Sequence, residues 1–271
     1  MGSLNERTAP KGAITDLLTP TFLKSIRDFW FQHCRDETEL VLPKESSMQR
    51  WFSANPDMDR ACSVQFRRPL ETILHSAVTP TELFATAQAF SSPLDWLSLV
   101  LLLDQIPRNC FRNQEAAIVY RTFDPLALKI ALHALDDVVV REPPLRYAFT
   151  YRMWFYMPIM HSEDLEIHQD IAPTRFALVS ADVERLLSAG DEELGLLGPH
   201  ERHCYQVLKD REEKARAFVD HLSTYEKTHA QIIERFGRYP HRNRPLERTF
   251  TGDEVAYLKS EGETFGVSVT V

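Results

Sequence analysis

Apolar positions recur along this chain at the three- and four-residue spacing of helices. Phe22, Leu23, Ile26, Phe29 and Trp30 form one such stripe, and Leu126, Ile130, Ala131, Ala134 and Leu135 form another. One device marks the starts: Thr19-Pro20, Asn55-Pro56, Thr79-Pro80, Ser92-Pro93 and Asp124-Pro125 each set a capping residue before a proline, whose missing N–H costs nothing at the first helical position. Glu82 follows Thr79 and Asp95 follows Ser92 by three residues, as a capping box or a partner for the N-terminal dipole requires. From Leu94 to Leu103 the chain is apolar on nearly every side, which predicts an enclosed central helix ending at Pro107. Another helix is expected from about 144 to 157, carrying Tyr147, Phe149, Tyr151, Trp154 and Phe155 and stopped by Met157-Pro158. Ser162 is placed to cap the next one, with Glu163 and Asp164 in its first turn. A long charged helix should run from Asp210 to Phe236 and close on Gly237, and Thr251 with Glu254 should open a last short one.

The fold class that follows is all-α, a compact bundle of irregular helical hairpins. Composition agrees: 9 glycines against 16 prolines leave little material for β-hairpin turns, and 44% hydrophobic residues suffice for a large core. Helix starts at 20, 56, 80, 93 and 125 lie 36, 24, 13 and 32 residues apart, too uneven for a regular array with the roughly 34-residue period of tetratricopeptide repeats. The organisation read from the chain is a flexible leader over 1–14, a single helical domain over 15–265 and a tail over 266–271 that is either an added strand or a disordered end.

A formal charge of -8 excludes nonspecific nucleic-acid binding and attraction to anionic membranes, both of which need basic surface. The longest apolar run is too short to span a bilayer. No secretory signal or myristoylation motif is visible, and the four cysteines form no C-x-x-C pair, so a reduced, cytoplasmic location is expected. No cofactor is called for.

Three polar blocks interrupt this apolar pattern: Asp104-Gln105-Ile106-Pro107-Arg108-Asn109, His161-Ser162-Glu163-Asp164 and Gly237-Arg238-Tyr239-Pro240-His241-Arg242-Asn243. Each sets charge, amide or imidazole beside side chains that must be buried, and such groups are costly to bury unless they pair. The blocks are therefore expected to meet in one cluster containing at least one acid–arginine hydrogen bond. Together with Phe29-Trp30-Phe31, Trp51-Phe52 and the flanking Leu101-Leu102-Leu103 and Tyr156-Met157-Pro158, they resemble the domain-of-unknown-function 924 family over roughly residues 22 to 265. That resemblance implies a compact, tetratricopeptide-like all-helical domain of a mostly bacterial family, with no general activity established. Segments 36–49 and 180–203 look like insertions relative to the shorter family pattern, expected to reshape a rim.

The chemistry must come from residue types. His161, Glu163, Asp164 and His241 are the candidates for proton transfer; Asp104, Gln105, Arg108, Asn109, Arg112, Arg238, Arg242 and Asn243 are the candidates for holding a ligand, with arginine gripping a carboxylate or phosphate. The same residues suit a buried ion-pair network that only fixes loops. His161, Glu163, Asp164, His168 and His241 offer metal donors but lack H-E-x-x-H spacing, and neighbouring arginines oppose a cation, so no metal is expected. Ser162 lacks a nucleophile elbow and Cys110 reads as packing. The aromatics from Tyr147 to Tyr156 read as core and the run from Lys209 to Arg216 as a solvated face. Two functional classes stay open. One is a binder of a small anionic molecule, extending to an enzyme of a specialised or secondary-metabolism step such as a cyclisation; the other is a helical scaffold for a protein partner.

Overall fold

The computed structural model describes residues 13–260 and 262–265, so the first twelve residues of the expected leader and the tail 266–271 lie outside the described residues. Residues 13 and 14 already belong to a helix, Ala13–Leu17. Every regular element among the described residues is helical.

Four of the five proline-marked starts form as their chemistry dictates. Thr19 Oγ1 accepts from Phe22 N–H at 3.2 Å, and Asn55 Oδ1 accepts from both Asp57 and Met58 N–H at 3.1 Å. Thr79 and Glu82 close a reciprocal capping box, as do Thr251 and Glu254. Ser92 also caps its helix, but through Leu94 N–H, because the Asp95 carboxylate is taken by Arg27 at 2.8 Å.

The core is organised around Pro93–Cys110, in which every side chain from Asp95 to Pro107 is buried. Helices Pro20–Trp30, Pro56–Ser76 and Asp124–Ala134 wrap it. The expected stop at Pro107 comes one turn late, since only that residue's own N–H is lost and Phe111 N–H still bonds Pro107 O at 2.8 Å. That extra turn carries Arg108 and Asn109 out beside Asp104.

Asp124-Pro125 is not a helix start. The backbone is already helical through a π turn, Val119–Phe123, closed by Asp124 N–H on Val119 O, and the donorless Pro125 follows it without breaking the run. The Asp124 carboxylate, released from capping, turns to two arginines.

The helix expected over 144–157 is broken into Pro143–Arg146, Phe149–Arg152, a 3₁₀ turn Met153–Phe155 and Met157–Met160. Its break at Tyr147-Ala148 lets Arg146 and Arg152 both reach the buried Asp182, at 2.5 and 2.6 Å. Tyr147, Phe149, Trp154, Phe155 and Tyr156 are core. Ser162 does not cap the following helix: it accepts from Asp164 N–H at 3.1 Å, and Asp164 in turn accepts from Glu166 N–H at 3.0 Å, so the helix begins at 165 and Glu163 stays outside it.

The long helix begins at Glu212, after a kink at Arg211, and closes on Gly237 with φ +66°. Segments 36–49 and 180–203 are largely helical, with Val41, Leu42, Val183 and Leu186 in the core. Among the described residues no helix is long and apolar enough to cross a membrane.

Candidate functional site

Asp104 lies on the central helix with no exposure to solvent. Its carboxylate accepts from Gln105 Nε2 at 2.6 Å, His161 Nδ1 at 2.7 Å and Arg108 Nη2 at 3.3 Å. Burial opposes its ionisation, but the donors of His161 and Arg108 outweigh that and hold its carboxyl below the ordinary carboxylate range. The same Arg108 Nη2 donates to Asp124 Oδ1 at 2.6 Å, and Asp124 Oδ2 lies 3.4 Å from Arg242 Nη1. Asp124 thus joins the first polar block to the third. The Arg242 guanidinium is sandwiched between Tyr120 and Tyr239, 4.5 and 4.6 Å from the ring centroids, with Tyr120 presented by the π turn.

The second and third blocks are tied by Glu163, which accepts from Tyr239 N–H at 2.9 Å and holds Arg248 by two bonds of 3.0 and 2.6 Å. Tyr239 O–H donates back to Met160 O. These contacts fix the register of two loops that helix periodicity alone leaves free.

Three imidazoles face this framework, and burial first of all keeps each neutral. His161 has its pKa lowered by burial and Arg108 against the pull of Asp104; donation from Nδ1 to Asp104 leaves Nε2 as a base on a ring that is 19% exposed. His229 is pushed down to about 3, anchors Nδ1–H on Tyr225 O at 2.8 Å and stacks on Phe265 at 3.8 Å. His241 is shifted well below the ordinary range, and its buried Nδ1 has no hydrogen-bond partner among the described residues.

These groups wall a cavity of about 740 Å³, into which Asp59, Arg108, Arg112, Arg242 and Arg244 also open. A smaller extension of about 150 Å³ shares Arg108, Arg112, His161 and His229 and adds Gln105, Asn109 and Arg50. Arg112 is paired to Asp59 at 2.6 Å at the mouth. Arg244, exposed at the rim, forms no ion pair among the described residues.

Of the residues singled out from sequence, Asp104, Gln105, Arg108, Asn109, Arg112, His161, His241 and Arg242 are brought together here. Others are not at the cavity wall. Arg238 reaches away to Glu254 at 2.6 Å, Asp164 is an exposed helix cap, Glu163 is a loop tie and Asn243 is sealed beneath the 3₁₀ turn Pro240–Arg242. His168 belongs to a separate pair with Glu226 at 2.7 Å, and no group of three His, Cys, Asp or Glu among the described residues is placed to hold a metal ion. Burial raises the Cys110 thiol to about 12, which removes it as a nucleophile.

Sequence reasoning missed Asp59, Tyr120, Asp124, His229, Arg244 and Phe265. Arg244 directly follows the third block. Asp124 was visible too, but its place before proline pointed to a cap.

Residues 26–262 match the family described as "Bacterial protein of unknown function (DUF924)". No curated protein and no solved structure matches the chain.

Proposed function

The chain belongs to the DUF924 family, and for this member we propose binding of a small anionic molecule in the cleft, with the Asp104–His161 dyad moving a proton on it. The observation that carries this is the pairing of surplus cation with a poised base at one wall. Arg108, Arg112, Arg242 and Arg244 outnumber Asp59, Asp104 and Asp124 there, and the neutral histidines add no charge. A carboxylate or phosphate restores neutrality and matches the planar guanidinium fork.

His161 Nε2 is the group for chemistry. Asp104 fixes the ring's tautomer and steadies the imidazolium that forms when Nε2 takes a proton, the division of labour that an acid–imidazole pair serves in general acid–base catalysis. A ring that is neutral at physiological pH is ready to accept. Enclosure favours this reading over a protein scaffold: the cavity is concave and walled by convergent polar groups, whereas the exposed large apolar residues Phe52, Val64, Leu165, Leu178 and Leu196 are scattered over separate segments.

The test is a thermal-unfolding screen of the parent and Arg244→Ala with acetate, malonate, citrate and inorganic phosphate. At least one anion should raise the parent's Tm by several degrees and shift the variant by less than half as much. A parent whose Tm follows only ionic strength would overturn the reading.

A further inference from the structure

A second hollow of about 320 Å³ opens on the other side of the cleft's smaller extension, and its wall is mostly apolar: Met48, Phe52, Met153, Met157, Phe218 and Leu222, with Gln49 and His221 as its polar members. Methionine side chains adapt to irregular shapes, so three of them make a wall fitted to a flexible chain rather than a rigid ring. Phe52 is 45% exposed and is stacked on buried Trp154 with ring centroids 5.7 Å apart.

The hollow and the cationic cavity are joined through the extension. Phe52, Ser53, Met157 and Tyr225 line both the apolar hollow and the extension, whereas Arg108, Arg112, His161, His229 and Phe265 line both the extension and the main cavity. One helix records the same connection. Phe218, Leu222, Tyr225 and His229 of Glu212–Phe236 recur at four-, three- and four-residue steps, a single face that runs from the hollow to the cationic cavity over about 16 Å at the helical rise, with His221 beside it at the hollow and stacked on Tyr225. Phe265, stacked on His229, carries the apolar wall up to the polar end.

We propose that the cleft's ligand is an amphipathic oxyanion, its carboxylate or phosphate held by the arginines and its unbranched apolar tail laid along the Met–Phe groove. This rests on the anion-binding reading above and adds the substrate class to it. One feature selects a tail over a protein helix as occupant: the groove is continuous with the charged site through lining residues shared with the extension.

The experiment is calorimetric titration of the parent protein with acetate, hexanoate, octanoate, decanoate, decyl phosphate and 1-decanol. Affinity should rise about fourfold per methylene from hexanoate to decanoate, the increment of a buried CH₂. 1-Decanol, lacking the charge, should bind at least tenfold more weakly than decanoate. Decanoate tighter than decyl phosphate identifies a carboxylate head and the reverse a phosphate head; both support the proposal. Phe52→Ala, at a half-exposed position and checked for the parent's far-UV spectrum and Tm, should flatten the chain-length dependence and leave acetate binding unchanged. Acetate binding with no gain from longer chains would overturn the tail groove and leave the anion site standing. No binding by any anion would overturn both. A full chain-length gain retained in Phe52→Ala would show that the tail lies elsewhere and overturn the proposal.

Discussion

Asp124 holds the cluster together. It is the shared acid between Arg108, at 2.6 Å, and Arg242, at 3.4 Å, and its side chain is only 10% exposed. Asp124→Asn keeps the shape but leaves Arg108 with Asp104 alone and takes from Arg242 its ion-pair partner among the described residues. We expect a loss of about 3–5 kcal/mol in urea unfolding, the range for removing one partner of a buried pair. Arg242→Ala should cost less, because Asp124 keeps Arg108. Arg244→Ala, at an exposed unpaired position, should leave apo stability within about 0.5 kcal/mol of the parent. The two-partner role of Asp124 could not be read from its surroundings in the sequence. Asp-Pro is a helix-start signal, and only the π turn before it, set by tertiary packing, overrides that signal.

At the level of elements, four of the five proline-marked starts were legible, whereas Asp124-Pro125, the Ser162 cap and the stop at Pro107 were not. Caps at Thr19, Asn55, Thr79 and Ser92 act through a side chain and the next few backbone N–H groups, so local sequence determines them. Pro107 and the break at Tyr147-Ala148 depend on what surrounds the helix: a fully enclosed site in the first case, two arginines converging on Asp182 in the second. Gly237 is the exception among ends. Its φ of +66° is open to glycine and strained for other residues, and a Cβ there would meet nothing within 4 Å, so Gly237→Ala isolates the backbone cost. Roughly 1–2 kcal/mol of destabilisation should appear in denaturant unfolding, with the far-UV spectrum unchanged. A loss above about 4 kcal/mol would mean that the turn into Arg238–Arg242 carries more than a cap.

Taken as a whole, the molecule buries neutral imidazoles next to fixed guanidiniums, and that has a consequence for pH. His229 is held at about 3 and His241 well below the ordinary value of 6.5, both by burial first, so on unfolding each takes up a proton that the fold refuses. Their contribution to stability is complete above pH 6.5 and is lost as pH falls below it. Urea midpoints measured between pH 7.5 and 5 should fall accordingly; a flat profile would mean that these rings are solvated. Asp104 adds a second acid limb, since a carboxyl held below its ordinary 3.8 contributes stability above that value and loses it as pH falls further. The meeting of the three polar blocks was legible because buried charge demands partners, whereas their division into cavity wall and loop tie was not, since Arg238 and Arg242 look alike until Glu254 claims one and Asp124 the other. Whether an anion sits against the dyad is decided most directly by long-range ¹H–¹⁵N histidine spectra recorded during a phosphate or acetate titration at constant ionic strength. Saturable shifts of the His161 and His229 ring nitrogens, with His133 between Phe84 and Trp96 unmoved, are the expected result; His161 unchanged, or all three moving together in proportion to salt, would contradict the account.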